Sequence, residues 1–394
     1  MKKFLTPFFL LCFLVGQGQN YAPFTATIRD LQNPSTQQEV LKRLAAQHQI
    51  PFTVEDSVAF LYEGEATDVK WMGDFNGWGY NKTFQNTGQR IPNTNLWILK
   101  ASFPTNARLD YKILVNNNQW ILDPLNPNNQ WSGVGGGSPN SELRMPAWKA
   151  DEATVLKPNI PQGTLQKDVL FNSKLLNYQV MYTVYTPPNY SNTQVYPVLY
   201  VTDGYEYLHE NMGNIQITLN NLIYEKKIQP IIAVMVDHRE PVNRVNNRRM
   251  TELAMNENYM RFFTDELIPE VEGKYSISKK SSERAILGTS MGGLTAAYFS
   301  FSRPDLFGLA GIQSPAFWFR PEIYRLCDNP ENPPVKVFMT TGVVNDAEEG
   351  SRKMKAILDK NTCTYQYKEV NEGHSWGNWR NLLDDILIYF FPLN

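Results

Sequence analysis

The segment Gly288-Thr-Ser-Met-Gly292 constrains this chain more than any other part of its sequence. A short apolar run typical of a buried strand precedes it, and a run from Leu294 to Ser300 typical of a helix follows it. A serine at the apex of such a turn needs small neighbours, because a side chain on Gly288 or Gly292 would collide with the adjoining strand or helix. The segment therefore predicts either an exposed, reactive Ser290 or an ordinary glycine-rich turn, and residues further along the chain must decide between them.

From about residue 165 onwards, apolar strand patterns alternate with helical patterns. Nearly continuous apolar strands of this kind belong to a mostly parallel sheet that helices cover on both faces. In such sheets, functional side chains gather at the carboxyl ends of the strands. The predicted strands are 178–186, 197–202, 231–236, 285–287, 309–312, 335–340 and 364–370, and the predicted helices are 215–227, 259–275, 294–300, 348–360 and 379–390.

A serine hydroxyl becomes a good nucleophile only when a base takes its proton, and the chain has four histidines. His374 lies in the loop after the last predicted strand, whereas His209 and His238 precede Ser290. His48 lies on a predicted helix outside this part of the chain. Hydrolases with this kind of serine turn have the chain order serine, acid, histidine, so we predict His374 as the base.

The carboxylate that orients such a base should follow the strand 335–340. Asp346 lies there, directly before the predicted helix, and Glu348 and Glu349 follow it closely. First-turn glutamates can instead stabilise the start of a helix. We therefore predict Asp346 as the acid, with Glu348 and Glu349 as alternatives.

Acyl transfer also needs backbone N–H groups that bind the negative oxygen of the tetrahedral intermediate. One such group belongs to Met291, the residue after the serine. The second should come from Gly204 or Tyr205, which follow the strand 197–202. The predicted chemistry requires no metal ion and no organic cofactor.

Candidates for substrate contact lie in the loops beside the strand ends, and they are Tyr205, Phe317, Trp318, Trp376, His238 and Arg249. The aromatic members could stack on an aromatic acyl group or a sugar, or they could pack as ordinary core and rim. The basic members, with arginines nearby, could meet an anionic or catecholate substrate. An ion pair between Arg249 and Glu252 is the structural alternative.

Short strand patterns separated by Asn, Gly and Pro turns predict a small β-sandwich of the immunoglobulin-like kind ahead of the α/β part. Asn126 to Trp148 is rich in Asn, Gly, Pro and Ser, which is typical of a loop or linker. The predicted organisation is a signal peptide at 1–19, a lead-in at 20–55, the sandwich at 56–146, a linker at 147–164 and the α/β domain at 165–394.

The first 19 residues combine two lysines, a short apolar run and small polar residues, which is the pattern of a secretory signal peptide. We therefore expect an exported protein, periplasmic or secreted, without membrane contact after cleavage; an uncleaved anchor is the alternative. Cys327 and Cys363 could pair outside the cytosol or stay free. With 37 basic and 39 acidic residues, the charge balance gives no reason to expect a nucleic-acid partner.

The sandwich carries motifs that resemble a known domain. Val69–Trp78, Leu109–Lys112 and Trp120–Pro124 resemble the early-set domain of glycogen-branching enzymes and carbohydrate-binding module family 48. Such domains either bind glycan or simply pack on a catalytic partner. The resemblance therefore leaves Trp78, Trp97 and Trp120 as either a sugar-stacking platform or core residues.

The α/β part carries a second set of familiar motifs. Pro197–Gly204, Gly288–Gly293, Pro304–Phe307 and Gly373-His374 resemble the esterase D and enterochelin-esterase-like branch of α/β-hydrolases, which includes carbohydrate esterase family 1. The resemblance implies a serine esterase that works through an acyl-enzyme. Related sequences vary between Asp and Glu at the acid position, so the resemblance constrains the choice of Asp346 less than that of Ser290 and His374.

These observations predict a serine carboxylesterase that acts on feruloyl or acetyl esters of glycans, because export and a sandwich suit polymeric material. Hydrolysis of a catecholate siderophore trilactone is the alternative within the class. Transfer of the acyl group to an alcohol instead of water, as in mycolyltransferase-like relatives, also stays open. A non-catalytic glycan-binding protein is the alternative from another class, and the complete set of serine, acid and histidine argues against it.

Overall fold

Two helices and two antiparallel sheets form the N-terminal part of the chain, in a computed structural model that describes residues 21–132, 137–328, 334–361 and 363–393. The predicted signal peptide lies outside the described residues. The elements are α1 (Ala22–Gln32), α2 (Gln37–Ala46), β1 (Phe52–Val54), β2 (Ser57–Glu63), β3 (Val69–Gly73), β4 (Gln89–Arg90), β5 (Leu96–Ser102), β6 (Arg108–Val115), β7 (Gln119–Ile121), β8 (Asn129–Ser132) and β9 (Ser138–Arg144).

The two sheets pack face to face around an aromatic core. One sheet has the strand order β1-β2-β5-β4, and the other has the order β3-β6-β9-β8 with β7 beside β6. Phe60 of the first sheet meets Trp71 and Tyr111 of the second, with ring centroids 6.0 and 5.2 Å apart. Trp97 also lies in this core. Antiparallel β-structure ahead of the α/β part is therefore confirmed, and we call β1 to β9 the sandwich.

The prediction of a loop or linker over residues 126–148 is wrong, because β8 and β9 lie within this segment. β9 pairs with β6 over the register from Arg108↔Arg144 to Tyr111↔Ser141. Ser, Pro and Asn are poor strand formers, so backbone pairing with a neighbouring strand overrides local propensity here. The glycines at 133–136 lie outside the described residues.

An eight-stranded sheet forms the centre of the rest of the chain. Its strand order is β10-β11-β13-β12-β14-β15-β16-β17. β10 and β11 are antiparallel to their neighbours, and the pairs from β13 to β17 are parallel. These strands are β10 (Thr164–Ser173), β11 (Tyr178–Thr186), β12 (Val198–Val201), β13 (Ile232–Asp237), β14 (Arg284–Thr289), β15 (Leu309–Gln313), β16 (Lys336–Gly342) and β17 (Tyr365–Val370).

Helices cover both faces of this sheet, which confirms the predicted α/β fold. One apolar cluster holds side chains of α6 to α10, and the other holds side chains of α4, α11 and α12. The helices are α3 (Gly204–Leu208), α4 (Ile215–Tyr224), α5 (Arg249–Glu252), α6 (Glu257–Arg261), α7 (Ile268–Lys274), α8 (Met291–Ser302), α9 (Ile323–Cys327), α10 (Glu348–Lys360), α11 (Trp376–Arg380) and α12 (Leu383–Phe390), with a π-helical turn (Phe262–Leu267) joining α6 to α7.

Two features of this part differ from the predictions or lie outside them. The edge strand β10 is largely exposed and carries a bulge between Gln166 and Val169, so its sequence lacks the apolar run of the inner strands. The predicted helix 379–390 is two helices, α11 and α12.

Within the described ranges, no helix combines the length and apolar character needed to cross a membrane. Cys327 and Cys363 are free thiols.

Candidate active site

Ser290 occupies a strained turn between β14 and α8. Its φ of 56° and ψ of −115° lie in a backbone region that residues other than glycine rarely adopt. A Cβ atom on Gly288 would collide with the backbone of Gly292, and a Cβ on Gly292 would collide with Thr202 Oγ1. The two glycines therefore allow the turn to hold the serine at the carboxyl edge of the sheet.

His374 and Asp346 lie beside this serine. His374 Nε2 is 3.0 Å from Ser290 Oγ, and His374 Nδ1 is 2.5 Å from Asp346 Oδ1. The Asp346 side chain is fully buried, whereas 40% of the His374 side chain is exposed. The three residues predicted from the sequence thus form one hydrogen-bonded chain, which is the geometry that serine hydrolases use.

Polar neighbours fix the orientation of Asp346. Its Oδ2 accepts hydrogen bonds from Ser314 Oγ at 2.6 Å and from the Gly342 N–H at 2.5 Å. Asn378 Nδ2 lies 3.4 Å from the same oxygen. With Oδ2 occupied in this way, Oδ1 is left to face the imidazole.

The alternative acids occupy other places. Glu348 accepts a hydrogen bond from the Asp346 N–H at 3.2 Å, and Glu349 lines an outer cleft. Sequence reasoning did not identify the supporting Ser314 and Asn378. The one available signal was Gln313-Ser314 at the carboxyl end of β15, the strand beside the one that leads to Asp346.

The predicted oxyanion donors lie at two helix starts. Met291 is the first residue of α8, and Gly204 and Tyr205 are the first two residues of α3. N–H groups in the first turn of a helix have no partner within that helix, so they can bind a negative oxygen. β12 and β14 are adjacent and parallel, with Val201 opposite Leu287, so both helix starts lie at the same edge of the sheet.

His238 and Arg249 are directed at Asp203 instead of a substrate pocket, which corrects their predicted role. Arg249 makes two hydrogen bonds to the Asp203 carboxylate, at 2.7 and 2.9 Å, and His238 Nδ1 lies 3.0 Å from it. The alternative pair of Arg249 with Glu252 is also not formed, because Glu252 accepts from the Tyr178 hydroxyl at 2.7 Å.

These contacts set the charge of Asp203. Burial alone would raise the pKa of Asp203, but Arg249 and His238 outweigh it and hold that pKa below its ordinary value. Burial also disfavours the charged form of His238, yet Asp203 raises the pKa of this histidine above its ordinary value. Asp203 has a left-handed backbone (φ 54°) and directly precedes Gly204, so the cluster holds the turn that carries the oxyanion donors.

The aromatic candidates separate into buried and accessible residues. The prediction that Trp376 lines the substrate pocket is wrong, because its side chain is fully buried. Phe317 is also buried, but it lines the cleft beside Asp346 together with Trp318. Trp376 donates to Glu206 Oε2 at 2.7 Å and packs edge-on against Trp379. In contrast, Trp318 is 74% exposed, and the half-buried Tyr205 lies under the Arg239 guanidinium.

Clefts adjoin each part of this site. A cleft of about 440 Å³ lies between the sandwich and His374, and it is lined by Trp78, Trp120, Lys112 and Asn345 among others. A second, of about 510 Å³, lies beside Asp346 and Trp318, and a third, of about 290 Å³, lies beside Gly204 and Tyr205. The site is therefore accessible from several sides, one of which the sandwich forms.

A serine at a strained strand–helix turn, with a histidine and an acid after later strands of the same sheet, defines an α/β-hydrolase. A family model described as "Putative esterase" matches residues 173–390, more than half of the chain. The chain therefore belongs to this esterase family, and it is a carboxylic ester hydrolase of the group that contains enterobactin and feruloyl esterases.

Two curated relatives illustrate this membership. The iron(III) enterobactin esterase of Escherichia coli O6:H1 is 27% identical over 51% of this chain and 47% of its own length. The endo-1,4-beta-xylanase/feruloyl esterase of Xylanibacter ruminicola is 27% identical over 62% of this chain and 33% of its own length. The chain thus spans about half or less of these two relatives.

The fold likeness extends further along the chain. The crystal structure of the enterobactin esterase from Shigella flexneri matches with a TM-score of 0.70 and 21% identity, over 84% of this chain and 92% of that one. A match of this extent includes the N-terminal sheets as well as the α/β part. It shows a shared architecture of β-sheet domain followed by hydrolase domain.

Proposed function

We propose that this esterase works through an acyl-enzyme on Ser290, with His374 as general base and Asp346 as the acid that orients it. The hydrogen-bonded chain from Asp346 through His374 to Ser290 Oγ is the observation that carries the proposal. In the first step His374 takes the serine proton while Oγ attacks the ester carbonyl. Proton transfer requires heavy atoms within about 3.2 Å, and the distance in the resting site meets this requirement.

The remaining steps use the same groups. The N–H groups of Met291 and of Gly204 or Tyr205 bind the oxyanion, and His374 then protonates the leaving alcohol. Water deprotonated by His374 attacks the acyl-enzyme and releases the acid. The cluster around Asp203 supports this proposal because it anchors the turn before Gly204.

For the substrate we propose an acyl ester on a glycan, feruloyl or acetyl, whose sugar lies in the cleft between the sandwich and His374. Trp78 and Trp120 present indole surface there, and half of Trp120 is exposed. Trp78 has a positive φ of 57° and donates to Asp74 Oδ1 at 3.1 Å, so its ring is held in place. Strained, fixed aromatic residues in a cleft favour a binding role over a packing role.

Hydrolysis of a siderophore trilactone is the second candidate, and the fold likeness to an enterobactin esterase favours it. A ferric catecholate is an anion and would need cations that are free to bind it. Here Arg239 pairs with Asp237, Arg244 with Asp168, Arg248 with Glu240 and Arg249 with Asp203. The pairing of these four arginines favours a neutral glycan ester, whereas Lys112 and Lys167 in the adjoining clefts are cations outside these pairs. We also propose that the protein is exported to the periplasm or the medium, where a glycan substrate would be found.

The first experiment compares the wild type with Ser290→Ala on p-nitrophenyl acetate and methyl ferulate. We expect the variant to lose at least about 10³-fold in kcat, because the nucleophile is removed. Equal rates for the two proteins would overturn the assignment of Ser290. Rates on feruloylated arabinoxylan oligosaccharides and on ferric enterobactin would then distinguish the two substrate proposals.

A further inference from the structure

Arg108 of β6 is a fully buried cation at the contact between the sandwich and the loop that carries His374. We call residues 371–375 the His374 loop; it follows β17 and leads into α11. An arginine this deep in a protein is costly unless each of its N–H groups has a partner. Its partners therefore indicate what this residue holds in place.

Arg108 contacts the His374 loop on both sides of the histidine. Its backbone N–H donates to the Asn371 carbonyl at 3.2 Å, and its Nη1 donates to Ser375 Oγ at 2.8 Å. A Cβ atom on Gly377, in the first turn of α11, would collide with the guanidinium. The loop and the start of the next helix are thus fitted closely to this one side chain.

The other two guanidinium nitrogens bind the sandwich itself. Nε donates to Glu142 Oε1 at 2.5 Å, and Nη2 donates to Asp110 Oδ1. A guanidinium has a planar fork of donors with fixed directions, so these two carboxylates determine where Nη1 points. The position of Ser375 therefore depends on the sandwich through a rigid connection.

The sandwich holds the loop of the acid as well. Asn345 Nδ2, one residue before Asp346, donates to the Asp74 carbonyl at 2.7 Å. Gly373, one residue before His374, packs so closely on Asp74 that a Cβ atom there would collide with its carboxyl group. One edge of the sandwich thus contacts both loops that face Ser290.

We propose that Arg108 is a positioning residue for ester hydrolysis, which holds the His374 loop so that the imidazole stays within reach of Ser290. This inference rests on the roles proposed above for Ser290 and His374. The imidazole is 40% exposed and has an edge-on contact with Trp379, so its place depends on the backbone that carries it. A shift of about 1 Å in a reacting group can cost on the order of 100-fold in rate.

The test compares Arg108→Met and Arg108→Lys with the wild type and with a matched control, Arg144→Met. Arg144 binds the same Glu142 but is 44% exposed, and its hydrogen bonds and ring contact go to Glu142 and Trp148 instead of the His374 loop. The measurements are kcat and KM on p-nitrophenyl acetate, the rate of inactivation by a fluorophosphonate, and cooperative thermal unfolding. The fluorophosphonate reports activation of the serine without the deacylation step.

For both Arg108 variants we expect kcat and the inactivation rate to fall by about 30-fold or more, with KM within about threefold of the wild type. Lysine should not restore the rate, because it keeps the charge but lacks the fork that fixes Nη1. Arg144→Met should stay within about twofold of the wild type. A folded Arg108→Met with unchanged kcat would overturn the proposal.

If the Arg108 variants do not fold, Ser375→Ala decides the question. It removes the hydroxyl that receives the Nη1 hydrogen bond and leaves the buried cation with the carboxyl groups of Asp110, Glu142 and Glu372. We expect the inactivation rate and kcat to fall by about fivefold or more with little change in melting temperature. An unchanged rate in Ser375→Ala, with Ser290→Ala inactive, would refute the proposed role of Arg108 and leave the proposed function intact. Full activity of Ser290→Ala would instead refute the proposed function on which it rests.

Discussion

Two buried charge clusters adjoin the site of this esterase, and they have opposite ratios of acidic to basic groups. Behind the oxyanion turn, one carboxylate, Asp203, is shared by Arg249 and His238. At the sandwich contact, one guanidinium, Arg108, is surrounded by several carboxyl groups. The first cluster therefore keeps its acid ionised, whereas the second has more acids than its one buried cation can neutralise.

The consequence appears in the acids of the second cluster. Burial raises the pKa of Glu372 to about 8, although Arg108 and a hydrogen bond from Trp148 oppose the shift. Burial and the nearby Asp110 raise the pKa of Asp74 as well. Glu142, in contrast, has a lowered pKa because Arg108 and Arg144 outweigh its burial. The comparison teaches that the number of acids for each buried cation, and not burial alone, decides which cluster has protonated acids near neutral pH.

The largest expected effect comes from breaking the first cluster with Arg249→Met. Removal of this guanidinium leaves the buried Asp203 with only His238, so we expect the free energy of unfolding to fall by about 3 kcal/mol or more. Denaturant unfolding measures this change. The control, Arg261→Met, removes an exposed pair with Asp265 and should cost under about 1 kcal/mol. Similar losses in the two variants would contradict a special role for the pair with Asp203.

The second prediction sharpens the comparison through pH. The folded pKa of Glu372 is about 8 and its ordinary value is 4.5, so the unfolded chain releases this proton first as the pH rises. The stabilisation from this group is complete below pH 4.5, declines as the pH rises, and is lost above pH 8. We expect the wild type to lose on the order of 2 kcal/mol in unfolding free energy between pH 6 and pH 8 from this group.

Glu372→Gln provides the measurement, because glutamine does not titrate. Denaturant unfolding at pH 6 and pH 8 should show a smaller decline for this variant than for the wild type. Glu349→Gln, which lies outside the cluster beside the outer cleft, should decline as the wild type does. Parallel declines for wild type and Glu372→Gln would show that this carboxyl group does not hold a proton in the folded protein.

The smallest expected effect separates substrate binding by the sandwich from its structural role. Trp120→Ala removes exposed indole surface without touching either cluster, so stability should change little. We expect kcat/KM on a feruloylated oligosaccharide to fall by about tenfold, with activity on p-nitrophenyl acetate unchanged. Trp318→Ala, in the separate cleft beside Asp346, is the control. An equal effect of Trp120→Ala on both esters would remove the support for a glycan in this cleft.

Local sequence patterns sufficed for the parts of the site that follow directly from strand ends. Ser290, Asp346 and His374 each follow a parallel strand, and the order of those strands brings them to one edge. Trp376 lies only two residues after His374, yet it faces inward. Its direction depends on how α11 packs against Glu206 and Tyr207, which no local pattern encodes.

Arg108 was missed for a related reason. Its hydrogen bond to Ser375 spans 267 residues of chain, and in the sequence it is an ordinary residue at the start of a strand. The strands β8 and β9 were missed because their composition is that of a loop, and only the pairing of β9 with β6 and of β8 with β9 makes them regular. The information that sequence reading lacked lies in contacts between distant segments.

The contact between Arg108 and the His374 loop also has a consequence for the order in which the protein matures. Synthesis proceeds from the N-terminus, so the sandwich can fold long before residues 371–375 exist. Until they arrive, Arg108 and its surrounding acids face water, and the surface that receives the loop is uncovered. Closing so long a loop has an entropic cost that contacts within the sandwich do not have. The chain can therefore place His374 beside Ser290 only after residues 371–375 have been made.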